Sequence, residues 1–182
     1  MELTKFVKSL LIANILLFLA TYLGFSFIGD LILYPNKEYF QIYQLVTYMF
    51  LHASVVHIIF NMFALVIFGT EIEKRIGGIK FLQIYLISGL FAGLTHMLFL
   101  ENPVVGASGS IWSLMVIYAL LYPERIFNLY FIFPIKIKYI ISALFILEVI
   151  LLFMEGDGTS HAAHIGGALT GFVYYQLNKK NI

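Results

Sequence analysis

Between Ser9 and Gly29 the chain carries no charged residue. A bilayer core takes about 20 apolar residues per helix, so this run is long enough to cross one. The pattern recurs. Tyr39 to Thr70 is also free of Asp, Glu, Lys and Arg, and is too long for one span. It divides into an interfacial element, about 38–50, and a second helix, about 53–71. Phe81 to Leu100, Ala107 to Tyr122, Tyr139 to Met154 and His161 to Asn178 supply four more apolar segments. Apolar residues make up 61% and charged residues 12%, against roughly 45–50% and 25% in soluble domains. The fold expected is all-α: a polytopic membrane protein of six transmembrane helices forming one domain over residues 1–182. Ser9 to Gly29 reads as an anchor rather than a signal peptide, because no small-residue cleavage site leads into a polar chain.

The basic residues orient the bundle. Lys5, Lys8, Lys74, Arg75, Lys80, Arg125, Lys136, Lys138, Lys179 and Lys180 all fall on one side of a six-span chain. Only Lys37 falls on the other. Basic loops stay cytoplasmic, so both termini are expected there. The expected location is a multi-pass protein of the lipid bilayer. The net charge of +1 carries no nucleic-acid footprint, and cysteine is absent. Tyr34, Tyr39, Phe40, Tyr43, Tyr48 and Phe50 give the stretch before the second span an interfacial character.

Polar side chains at membrane depth are costly and invite a functional reading. His57 and Asn61 are four apart, hence on one helix face. His52 lies one to two turns earlier. Ser108 stands in Gly106-Ala107-Ser108-Gly109, and His164 lies one turn into the sixth span. The topology brings all of them toward the outer half of the membrane. A serine with a base in reach, and fixed donors for an oxyanion, are the parts of acyl transfer. Asn61, His57 and the Ser108 amide can donate, and a helix opening at Ser108 favours an anion there. Gly106 and Gly109 allow a tight turn. Gly167-x-x-x-Gly171 lets the sixth span approach a neighbour closely. No Asp or Glu lies near His164 in sequence, so a Ser–His dyad is expected rather than a triad.

These segments together resemble the rhomboid intramembrane serine proteases. His52-Ala-Ser-Val-Val-His57-Ile-Ile-Phe-Asn61, Gly106-Ala107-Ser108-Gly109, and Ala163-His164-Ile165-Gly166-Gly167 with Gly171 fall in order on the second, fourth and sixth spans. Glu71-Ile-Glu73-Lys74-Arg75-Ile-Gly77 also matches. The resemblance implies Ser108 as nucleophile, His164 as general base, and His57, Asn61 and the Ser108 amide at the oxyanion. It implies Trp112 packed on the imidazole, the transmembrane helices of other proteins as substrates, no cofactor and no metal. It assigns lateral entry to the region 139–154 and a cap to the loop 155–160, with Gly156 and Gly158. The six-span form without a seventh span or long extension resembles bacterial members, which implies the bacterial inner (cytoplasmic) membrane as the expected location. Tyr43 and Gln44 stand where the family often has Trp-Arg, so one contact steadying the outer segment is expected to be lost.

Other residues carry open alternatives. His52 either lines the cavity or joins a hydrogen-bond network. Trp112 either packs generically or stacks. His161 reads as solvated and His96 as an interface anchor. Glu148 sits in the fifth span without a sequence partner, and protonation, a polar cavity or a Tyr or Ser partner across the bundle would each accommodate it. Two rival functions are weighed. Membrane di-iron sites need more histidines than the five here, and HExxH is absent. A non-catalytic helix-binding relative would lack the serine or the histidine, and both are present.

Overall fold

The computed structural model describes residues 2–129, 133–154 and 158–180. Six helices of more than ten residues dominate them. α1 is Lys5–Tyr22. α2 runs over Val55–Ile76, with a π turn at Leu65–Gly69. α3 is Gly78–Phe99, α4 Ser108–Leu121, α5 Ile137–Leu151 and α6 His161–Asn178. Among the described residues, α1, α2 and α3 are long and apolar enough to cross a membrane, and α4 is a shorter apolar helix.

Two departures from the expected layout have local causes. α1 ends at Tyr22, and the chain turns through Gly24 into a short 3-10 turn at Ser26–Leu31. The fold is also not purely helical. An antiparallel hairpin, β1 Ile126–Leu129 with β2 Phe133–Lys136, joins α4 to α5 and pairs Ile126 with Lys136. Pro134 cannot donate a helical hydrogen bond, and its missing N–H is tolerated in a two-stranded edge. The loop expected as a cap lies partly outside the described residues, at 155–157.

Between apolar helices in lipid there is little hydrophobic drive, so small residues set how closely backbones pack. α6 lies against both α3 and α4. A Cβ on Gly167 would run into the Gly109 carbonyl, and one on Gly171 would meet the Ser113 carbonyl at 2.6 Å. Gly109 in turn faces Ala92 of α3. The glycines four apart on α6 therefore sit on residues four apart on α4. Leu114, Ile117, Ile84 and Tyr85 fill the adjoining core, all at most 1% exposed.

Polar contacts close the two ends. Glu73, buried near the end of α2, caps the start of α1: it accepts from Thr4 Oγ1 at 2.6 Å and from the Phe6 and Val7 amides at 3.0 and 2.9 Å. At the other end Leu33 and Val104 exchange backbone hydrogen bonds, and the Gly106 amide donates to the Tyr48 carbonyl at 2.9 Å. Gln44 corrects the expected loss of a steadying contact. Its buried side chain donates to the Asp30 and Tyr39 carbonyls, both at 3.2 Å, and accepts from the Tyr34 and Gln41 amides. It ties the whole outer segment together.

Candidate active site

Ser108 is the first residue of α4, so its amide and the next ones have no partner within the helix. Gly106, two residues earlier, has φ +136°, a conformation L side chains rarely adopt. A Cβ there would also stand 2.9 Å from His57 Cε1 and Nε2. Gly106 thus lets the strand before Ser108 lie flat against the His57 ring.

His164 lies one turn into α6. Ser160 caps that helix by accepting from the Ala163 amide at 3.2 Å. His96 fixes the cap. It is fully buried, its Nδ1 2.7 Å from Ser160 Oγ and its Nε2 2.7 Å from the Asn102 carbonyl. A carbonyl only accepts, so Nε2 carries the proton and Nδ1 takes the Ser160 hydroxyl. The reading of His96 as an interface anchor is therefore corrected: it organises the start of α6. With α6 seated on α4, His164 Nε2 comes to 2.7 Å from Ser108 Oγ.

His57 and Asn61 face the same space from α2. The Ala53 amide donates to His57 Nδ1 at 3.4 Å, which leaves Nε2 as the protonated nitrogen on the Gly106 side. Asn61 Nδ2 donates one hydrogen to the His57 carbonyl at 2.9 Å, and its second is available. His57, Asn61, Gly106, Ser108, Gly109 and His164 line a cavity of about 460 Å³, completed by Val56, Asn102 to Val105 and Gly158 to Ser160. His52 is 2% exposed and lies outside the lining, its ring edge-on to His57 at 4.9 Å. It supports that ring rather than the cavity wall. Trp112 lies 6.0 Å from the His164 ring at 36°, a tilted contact rather than a parallel stack.

Sequence spacing did not reveal one neighbour. Glu148 reaches across from α5, with Oε2 2.5 Å from His161 Nδ1 and Oε1 2.9 Å from His164 Nδ1. The second approach is close but out of line for a hydrogen bond. His161 is 6% exposed, which overturns its reading as solvated. The expectation that no acid stands by His164 fails as well. The signal available was the lone carboxylate in a charge-free span, since such a group calls for a partner.

The arrangement defines a serine hydroxyl beside an imidazole, in a polar cavity at one end of an apolar helical bundle. Residues 39–180 match the Rhomboid domain family profile. The chain is 38% identical over 131 residues to RHOMBOID-like protein 6, mitochondrial, of Arabidopsis thaliana, covering 71% of this chain and 41% of that protein. It is 36% identical over 133 residues to RHOMBOID-like protein 2 of the same plant, covering 72% and 41%. It is 30% identical over 150 residues to Rhomboid protease GlpG of Yersinia pseudotuberculosis, covering 81% and 52%. The chain thus spans about half or less of the length of these curated relatives. It belongs to the rhomboid family.

Proposed function

We propose that this chain is an intramembrane serine endopeptidase that cuts the transmembrane helices of other membrane proteins. The observation that carries the reading is the 2.7 Å approach of His164 Nε2 to Ser108 Oγ, inside a polar cavity, in a protein this apolar. In this reading α1 to α6 are six spans, with both termini cytoplasmic and the cavity toward the outer face. The one-sided distribution of basic residues supports that orientation.

The mechanism follows from the groups present. A substrate helix enters from the bilayer and unwinds locally to present a peptide bond. Ser108 Oγ attacks the carbonyl carbon while His164 Nε2 takes its proton. The oxyanion receives hydrogen bonds from His57 Nε2, Asn61 Nδ2 and the Ser108 amide, all at the cavity wall. His164 then protonates the leaving amine. Water from the cavity attacks the acyl-enzyme, with His164 again taking the proton. Apart from the water that releases the acyl group, each step uses side chains and an amide of this chain.

Fluorophosphonate labelling of the purified protein tests the reading without knowledge of the substrate. The expected result is an adduct on Ser108, located by mass spectrometry and abolished in both Ser108→Ala and His164→Ala. A folded protein that takes no adduct at Ser108 overturns it, and leaves helix binding without cleavage as the function to pursue.

A further inference from the structure

The reading above uses Ser108 and His164 but leaves Glu148 unexplained. A carboxylate at this depth in an apolar helix is expensive unless it is paired. Glu148 is paired, and with two imidazoles: His161 Nδ1 at 2.5 Å and His164 Nδ1 at 2.9 Å. The second nitrogen is the far side of the ring whose Nε2 meets Ser108. A serine, an imidazole and a carboxylate thus follow one another, the carboxylate close to the far nitrogen of the ring and brought by a different helix.

We propose that Glu148 is a positioning residue for His164. Its carboxylate draws the proton of the neutral ring to Nδ1, which leaves the Nε2 lone pair facing Ser108 Oγ. It then faces the imidazolium that forms when that proton is taken. A third group acting on the base in this way sets the tautomer without taking part in the proton transfer. The out-of-line approach in the resting enzyme fits such a group, since catalytic hydrogen bonds often tighten only with substrate bound. A second contact reinforces the placement. Phe145, one turn before Glu148, meets Trp112 edge-on at 6.5 Å, and Trp112 lies against His164. The proposal rests on the assignment of Ser108 and His164 as the reacting pair.

The alternative is that Glu148 serves only to anchor His161 and so holds α5 to α6. Three variants of the full-length protein separate the two. The probe is a fluorophosphonate, and the readouts are its maximal inactivation rate, its half-saturating concentration and the melting temperature. Glu148→Gln keeps the size and hydrogen bonding but removes the charge. The maximal rate is expected to fall about 10- to 100-fold, with half-saturation and melting unchanged. Glu148→Asp, which restores the charge, is expected to recover part of that rate. His161→Gln removes the other partner and is expected to stay within about threefold of wild type. A wild-type rate in Glu148→Gln, or an equal loss in His161→Gln, overturns the proposal. Failure of the wild-type protein to label at all would instead strike the assignment of Ser108 and His164, so the two failures are distinguishable.

Discussion

α6 and α5 flank the same cavity, and they are held in opposite ways. α6 is seated on α3 and α4 through Gly166, Gly167 and Gly171, where backbone meets backbone or a short side chain. α5 buries only Ile137 and Ile141, both in its first half. A cavity of about 680 Å³, walled by apolar residues such as Val116, Ile141, Phe145, Ala168 and Phe172, lies between it and α4 and α6. Its C-terminal half reaches the bundle through Phe145 and Glu148. Ser108 and His164 therefore sit on the two most closely packed helices, while the carboxylate beside His164 hangs from a loosely packed one. A hydrogen bond of 2.7 Å needs helix positions fixed to a few tenths of an ångström. Close backbone packing provides that, and a long side chain on a loose helix does not.

The sharpest way to break this comparison is at Gly167. Gly167→Ala drives a Cβ into the Gly109 carbonyl, which is backbone and cannot turn aside. Overpacking typically costs about 1–3 kcal/mol, and a clash with backbone puts this case at the upper end, so a large loss of melting temperature and of Ser108 labelling is expected. Gly69→Ala, on α2, is the control. Its Cβ meets only side-chain ends, Leu65 Cδ1 and Val7 Cγ2 at 3.1 Å and Phe81 Cε2 at 3.4 Å, which can give way, so the loss is expected to be smaller. Equal losses at the two positions would remove the claim that backbone contact sets the site.

Next in size are the donors facing the cavity. His57→Ala and Asn61→Ala are each expected to slow peptide-bond cleavage by about 10²- to 10³-fold, as loss of one oxyanion donor typically does. Asn61→Ala should leave melting nearly unchanged. One of its amide hydrogens serves only the His57 carbonyl of its own helix, and that carbonyl retains its helical partner. A normal cleavage rate in Asn61→Ala, measured on a transmembrane-helix substrate, would remove it from the oxyanion.

Much of the closely packed region was legible from sequence. Gly167 and Gly171, four apart on one apolar segment, imply close approach to a neighbour, and the order of His57, Asn61, Ser108 and His164 along the spans implied one depth. Periodicity and hydropathy carry such information because each is a property of a single helix. What escaped was contact between helices of unrelated spacing. Glu148 lies 13 residues before His161 and on another helix, so no local pattern joins them. The pairing of His96 with Ser160 spans 64 residues. Gln44 was misjudged for a different reason. An amide can replace a cation where the partners are carbonyls and amides rather than carboxylates, and residue type alone does not say which partners wait. The hairpin at 126–136 escaped because its apolar residues resemble the flanking spans.

Outside the helices, Gln44→Ala is expected to cost about 1–3 kcal/mol. It strands the Tyr34 and Gln41 amides and two carbonyls that a buried side chain now serves. The loss should show in melting more than in labelling, because Gln44 touches neither Ser108 nor His164. A loss in labelling without a loss in melting would tie the outer segment to the site directly and weaken the contrast between α5 and α6.

The smallest effect is expected at the other end of α5. There Glu124 pairs with Lys136 at 2.6 Å and with Lys138, in solvent, with 61% of its side chain exposed. Hydrogen bonds from Lys136 and then Lys138 hold its carboxyl down at about 2, from an ordinary 4.5. A depressed carboxylate contributes stability above its unfolded value, and the contribution is lost as pH falls from about 4.5 through about 2. At neutral pH it is present in full but screened by water and salt. Glu124→Gln is therefore expected to leave both melting and Ser108 labelling unchanged at neutral pH. Glu148→Gln, within α5 itself, should slow labelling, because that carboxylate is partly buried beside the His164 imidazole. Should Glu124→Gln slow labelling as well, the base of α5 would be governing the site, and α5 could no longer be treated as the loosely held partner of a rigid pair.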